Sequence, residues 1–187
     1  MITAILFRNP NTEGPSVFLD LPASHWDVLE AKGQLQDNLS RCFYEFEPPD
    51  DLFLVARYLT KMQRGNQFVD ELNCLSHQIS QMDHADRILL EGAIAIHKPE
   101  DMTTLLNLTH HLDNILAVEA ANHTELGHFL VDTGLVEFPE DVIPYLDFEK
   151  IGSEHQSRNT CTFANDVFYE DLASSIEPVY DTVSLPS

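Results

Sequence analysis

The 187-residue sequence predicts an α+β fold built as three small units: a sheet with a helix across it (1–50), a short helical bundle (51–110) and an acidic α+β unit (111–171), with a loose tail at 172–187. Three observations predict it. Strand-like apolar runs are confined to the two ends of the chain, the middle has helical apolar spacing, and turn or capping residues punctuate the boundaries. Hydrophobic residues make up 43% of the chain, enough for a buried core and too many for a disordered acidic segment.

In the first unit, residues 2–8 (ITAILFR) and 16–21 (SVFLDL) read as strands around the turn-rich stretch Asn9 to Pro15. Ser24 with Asp27 three positions later marks a helix start, Trp26 and Leu29 share a face of that helix, and Gly33 stops it. Residues 42–47 (CFYEFE) form a third strand before Pro48-Pro49.

In the middle, residues 51–62 and 67–80 place apolar side chains at helical spacing, with Arg64-Gly65-Asn66 as the break. Asp83 caps a third helix reaching His97, with Asp86 at the reciprocal position and Ile88, Leu89, Ala93 and Ile96 on its buried face. Lys98-Pro99 ends it, and a shorter helix carries Met102, Leu105 and Leu106. Arg57, Lys61 and Arg64 lie near one helix face, where pairing with acids of a neighbouring element is expected.

The last unit opens with a strand at 114–121. Asn122 then caps a helix, with Glu125 completing a capping box and Gly134 at its end. Residues 135–152 hold a short helix with Pro139 in its first turn. Residues 159–164 and 167–170 form a hairpin around Asn165-Asp166.

Charge is the most informative feature for function. Thirty-one carboxylates oppose ten Lys and Arg, a formal net of −21. Residues 1–50 carry 8 acids and 3 bases, residues 51–110 carry 8 and 5, and residues 111–187 carry 15 and 2. A folded surface with this excess repels nucleic acid and anionic membranes and attracts basic grooves. Duplex DNA has one negative charge per ~1.7 Å of axis, and a carboxylate array of similar density can occupy a DNA-binding groove.

Other chemistry finds little support in the sequence. There is no GxxxxGK, GxGxxG, GxSxG or HExxH pattern. His110, His111 and Asp113 are close in sequence, and His128 and Asp132 are spaced i,i+4. Neighbouring histidines diverge on a helix, so neither a metal nor a cofactor is expected. The adjacent acids Glu140-Asp141 and Glu170-Asp171 are expected to be exposed, which argues against acid–base catalysis. Cys42, Cys74 and Cys161 lack CxxC pairing and suit reduced thiols in the cytoplasm. The N-terminus has no basic leader, and no run approaches a membrane span.

Three stretches resemble the ArdA antirestriction family. The first runs from Asn11-Thr12-Glu13-Gly14 through Val17-Phe18-Leu19-Asp20-Leu21-Pro22 to Trp26-Asp27-Val28-Leu29. The second is Glu125-Leu126-Gly127-His128-Phe129-Leu130-Val131-Asp132-Thr133-Gly134-Leu135, similar to the family's antirestriction segment. The third is Phe138-Pro139-Glu140-Asp141 continuing to Gly152. The resemblance implies an elongated, three-domain, non-enzymatic DNA mimic that dimerises through its last domain. Such proteins block type I restriction-modification enzymes by occupying the groove of the methyltransferase core.

On that reading the phosphate-mimicking carboxylates are Glu125, Asp132, Glu137, Glu140, Asp141, Asp147, Glu149 and Glu154, with distal contacts from Asp20, Asp27, Glu30 and Asp37. Leu126, Phe129, Leu130 and Leu135 are the expected dimer residues. The alternatives are an inhibitor of another DNA-binding defence complex such as a CRISPR effector, a small hydrolase or metal enzyme using the histidines, and an acidic adaptor. They differ in which complex is blocked, in metal content, and in competition with DNA.

Overall fold

Among the residues that the computed structural model describes, six strands form two separate three-stranded antiparallel sheets, and seven α-helices lie between and around them. The structure describes residues 2–7, 16–34, 43–47, 52–62, 68–173 and 175–180, of which 2–7, 16 and 43–47 enter as backbone only. The fold is mixed α+β, as the sequence predicts.

The first sheet has the order β2-β1-β3, from β1 (Ile2–Phe7), β2 (Ser16–Leu21) and β3 (Phe43–Glu47). Helix α1 (His25–Gln34) follows β2 and starts where expected. The Asp27 N–H donates to Ser24 Oγ at 3.3 Å, and Asp27 Oδ2 accepts the Ser24 hydroxyl at 2.6 Å. The buried face of α1 is Val28 and Ala31, which pack under β2 residues Val17, Leu19 and Leu21. Trp26 and Leu29 do share a face, but it is the outer one: Trp26 is 77% exposed.

The helical segment comprises α2 (Phe53–Leu59), α3 (Phe68–Gln81), α4 (His84–His97) and α5 (Met102–Leu108). Asp83 and Asp86 form the capping box, and Lys98 adopts the left-handed conformation that ends α4 ahead of Pro99. The buried side of α4 is broader than its spacing suggested. Leu90, Glu91, Gly92, Ala93 and Ile94 are buried, whereas Ile88, Leu89 and Ile96 are only partly so. The reason is that α4 contacts α2 and α5 as well as the second sheet.

The α3 helix ties the first sheet and α1 to the helical segment. Asn73 accepts the Ala23 N–H at 2.7 Å and donates to the Ala23 carbonyl at 3.1 Å, and Lys32 of α1 pairs with Asp70. One buried apolar cluster consequently runs from Val17 through the helices to Ile115 and Tyr169.

The second sheet has the order β4-β6-β5, from β4 (Ile115–Val118), β5 (Thr160–Ala164) and β6 (Val167–Asp171). Asn165 and Asp166 both have positive φ, the geometry of a tight two-residue hairpin, as their identities predicted. Helix α6 (His123–Asp132) starts at the Asn122 cap and is followed by Gly134 at φ 72°.

Two expectations for this region fail. Residues 135–142 contain no α-helix; Ile143–Tyr145 form a single 3-10 turn, and the helix is α7, Phe148–Arg158, capped by Asp147. Of the segment after Asp171, expected to fray, the described residues Leu172, Val179 and Tyr180 are hydrogen-bonded to the body of the fold, Leu172 through its N–H to the Asn114 carbonyl at 2.9 Å. The Val179 and Tyr180 N–H groups donate to Asn107 Oδ1 at 2.8 and 2.7 Å, and Asn107 donates back to the Tyr180 carbonyl at 3.1 Å. Residues 181–187 lie outside the described residues. No helix among the described residues is long and apolar enough to cross a membrane.

Candidate functional site

The carboxylates selected from the sequence face solvent. Asp20, Asp27, Glu30, Glu125, Asp132, Glu137, Glu140, Asp141, Asp147, Glu149 and Glu154 are all exposed; Asp37 lies outside the described residues. Asp20, Asp27 and Glu30 line one open groove of about 500 Å³ between β2 and α1. Asp132 ends α6, while Glu137, Glu140 and Asp141 occupy the connection that follows. Asp147 and Glu149 sit at the start of α7, where the helix dipole stabilises negative charge.

Some of these groups already have partners within the chain. Both Glu125 oxygens are engaged in the α6 cap: one accepts the Ala121 N–H and the other the Asn122 side-chain amide, each at 2.8 Å. Asp147 accepts the Lys150 N–H at 3.1 Å. Glu154 pairs with Arg158 at 3.5 Å on an exposed helix face, an interaction worth at most about 1 kcal/mol. The stretch from 132 to 154 still presents seven carboxylates against Lys150 alone among Lys and Arg.

The expected dimer residues separate. Leu126 and Leu130 are fully buried against Val118, Ala120 and Phe168, and Phe129 is partly buried against the same cluster. They complete a local core and are not available to a second copy. Of the four, only Leu135 is strongly exposed; Val142 and Tyr145 join it as exposed apolar side chains in the same region.

Arg57 and Lys61, expected to pair with acids, are exposed. No ion-pair partner is seen for either among the described residues, and Lys61 lies over the Tyr58 ring at 5.5 Å. Arg64 lies outside the described residues.

Glu170 and Asp171 depart furthest from expectation: both are buried. Successive strand residues point to opposite faces, and both faces of β6 are covered. Glu170 turns toward α7, where His155 Nε2 lies 2.7 Å from its Oε2. Asp171 turns toward the helical segment. Its Oδ2 is 2.8 Å from His97 Nε2 at the end of α4 and 2.9 Å from His111 Nε2, while its Oδ1 accepts the Ala173 N–H at 2.8 Å. Burial alone would raise the Asp171 pKa. The Ala173 N–H and the two histidines outweigh it and hold the carboxyl below the usual range.

The sequence pairing of His110 with His111 and Asp113 does not form a cluster. His110 turns to the Tyr180 hydroxyl at 3.1 Å, and Asp113 is exposed. His128 stacks on Phe148 at 3.7 Å between ring centroids. The missed residues are His97 and Asp171, 74 positions apart. The available signal was compositional: a chain with ten Lys and Arg for thirty-one acids has nine histidines to pair with its buried carboxylates.

Neither described cysteine is an activated nucleophile. Burial, then neighbouring Glu170, pushes the Cys161 thiol up to about 11, and burial raises Cys74 as well. Cys42 lies outside the described residues. Compared with known proteins, the chain matches no family model and no curated protein.

Proposed function

We propose that this protein is a non-enzymatic DNA mimic of the antirestriction type, which occupies the DNA-binding groove of a type I restriction-modification enzyme and blocks it stoichiometrically in the cytoplasm. The observation that carries the reading is the 132–154 stretch. Asp132, Glu137, Glu140, Asp141, Asp147, Glu149 and Glu154 are all exposed, with one Lys among them. The groove acids Asp20, Asp27 and Glu30 extend negative charge to the first unit.

In this mechanism the carboxylates stand in for phosphates and meet Lys and Arg of the target groove. Each exposed pair contributes about 0–1 kcal/mol, so the array acts collectively, by steering and by charge complementarity. An elongated arrangement of the three units, and a dimer formed through the last one, belong to the same proposal. With Leu126 and Leu130 committed to their own core, the apolar part of a dimer contact falls to Leu135, Val142 and Tyr145. Light scattering at micromolar concentration tests this; a monomer there removes the dimer from the reading.

The exposed Arg57 and Lys61 interrupt the acidic surface in the helical segment. They favour, as the second reading, a DNA-mimic inhibitor of another DNA-binding defence complex, such as a CRISPR effector. The test is cleavage of unmodified DNA by a purified type I enzyme with increasing amounts of the protein. The leading reading expects cleavage to stop near one inhibitor per DNA site of the enzyme. Full cleavage at a large excess refutes it and moves the test to the second class of target.

A further inference from the structure

We propose that His97, His111 and Asp171 form a binding site for a divalent transition-metal ion of the zinc class, which fastens the last strand to the helical segment. An ion here would be structural and lies away from the exposed acids of the DNA-mimic reading, so DNA competition, not metal content alone, separates that reading from a metal enzyme. Two imidazole nitrogens and one carboxylate oxygen, all within 4.8 Å of one another, converge from three separate elements. His97 is the last residue of α4, His111 precedes the 3-10 turn Leu112–Asn114, and Asp171 is the last residue of β6. Two histidines and one carboxylate make a donor set suited to Zn²⁺ and its neighbours, leaving a coordination position for solvent.

The spacing is close to that of a coordination shell. Ligand atoms about 2.0–2.2 Å from a tetrahedral ion stand roughly 3.3 Å apart. The two nitrogen-to-oxygen distances here are 2.8 and 2.9 Å and all three donors lie within 4.8 Å of one another, so admitting an ion moves the carboxylate oxygen outward by a few tenths of an ångström and lets the two imidazoles adjust around it. The His97 and His111 rings are nearly perpendicular, at 85°, with centroids 5.8 Å apart, so the two imidazoles approach Asp171 separately without stacking.

Outer contacts suited to metal ligands are also present. Asp171 Oδ1 is fixed by the Ala173 N–H, which leaves Oδ2 as the single coordinating oxygen. The Asn114 side-chain amide lies 3.4 Å from His111 Nδ1. A half-turn of that amide presents its oxygen to an Nδ1–H, the tautomer in which Nε2 is free to bind metal. Ion access is on the His97 side, whose side chain is 19% exposed, against 4% for His111 and 2% for Asp171.

The test uses the full chain, stripped with a chelator, dialysed against Zn²⁺ and analysed for bound metal, with Co²⁺ as a spectroscopic probe. The expected result is one ion per chain, Co²⁺ absorption bands of a four- or five-coordinate site, and a higher Tm with metal. His97→Gln and Asp171→Asn should each lower affinity at least about 100-fold, since even outer-contact losses cost 10–100-fold. His110→Gln and His128→Gln should leave it unchanged. His97→Gln alters the most exposed ligand, so it remains decisive even where Asp171→Asn fails to fold; circular dichroism checks both. No metal retained by the wild-type chain, or equal retention by His97→Gln, overturns the proposal.

Discussion

Glu91 caps a helix to which it does not belong: its Oε1 accepts the Val55 N–H at 3.0 Å, from α4 across to the first turn of α2. Its Oε2 accepts the neighbouring Leu54 N–H at 2.7 Å. The residue preceding α2, Leu52, has no capping side chain, so two end-of-helix donors depend on this buried carboxylate. Glu91→Ala leaves the buried Val55 N–H and the part-buried Leu54 N–H without their acceptor and should cost about 2–4 kcal/mol in urea unfolding. Glu91→Gln, which retains one acceptor oxygen, should cost distinctly less. A loss under about 0.5 kcal/mol for the alanine variant would show that water replaces the cap.

Helices α6 and α7 meet backbone to backbone through a reciprocal pair of glycines. A side-chain carbon at Gly127 would overlap the Phe148 carbonyl, and one at Gly152 would overlap the His123 carbonyl. Because the obstacles are main chain, neither helix can yield by turning a rotamer. Gly127→Ala and Gly152→Ala should each cost about 1–3 kcal/mol, the usual range for overpacking, despite alanine's better helix propensity. Differential scanning calorimetry reads this directly. An unchanged Tm for both would mean the helices stand further apart than described.

Glu71 supplies a pH test. Burial, then the nearby carboxylates Asp101 and Asp70, raise its pKa above the ordinary value. Folding therefore favours its protonated form. That stabilisation is complete below the unfolded-state pKa and is lost as pH rises through the higher folded-state value. At neutral pH the ionised group is a cost that glutamine removes. Glu71→Gln should raise stability at pH 7 by up to about 0.5 kcal/mol, the scale of surface substitutions. The difference should shrink toward zero as pH falls below the carboxylate range. A difference that grows on acidification would contradict the assignment.

The elements that sequence made legible are those whose signal is local. The Asp83–Asp86 capping box, the Asn122 cap and the Asn165-Asp166 turn each need only a few neighbouring residues; the reciprocal half of the box expected at Asn122 is absent, since Glu125 accepts the Ala121 N–H instead of the Asn122 N–H. Helix α7 gives little sequence signal because FEKIGSEHQSR carries almost no apolar stripe; it is held through Gly152 and half-buried Ile151, and close approach of backbones leaves no hydrophobic periodicity. Spacing puts Trp26 and Leu29 on one face of α1 but does not say which side of the helix is covered, and in the fold that face is the outer one. Glu170 and Asp171 looked like an exposed acid pair because their partners, His155, His97 and His111, come from other elements. The exposed acids were the most legible part of the candidate site, because uncompensated charge stays at the surface.

Inhibition should depend on the number of charges more than on any one. Single changes such as Glu140→Gln or Asp141→Asn should shift half-inhibition less than about fivefold, since each exposed pair is worth no more than about 1 kcal/mol. Neutralising six of Asp132, Glu137, Glu140, Asp141, Asp147, Glu149 and Glu154 together should abolish it, with the circular dichroism spectrum unchanged. A single conservative change that destroys inhibition in a folded protein would replace a collective array with one specific contact.

The most direct measurement is displacement of a labelled cognate duplex from a type I methyltransferase core by this protein, at several salt concentrations. DNA mimicry gives displacement at near-stoichiometric protein, weakening steeply between about 0.05 and 0.5 M salt as the screening length shortens. Duplex that stays bound in the presence of excess protein, or displacement indifferent to salt, would contradict it.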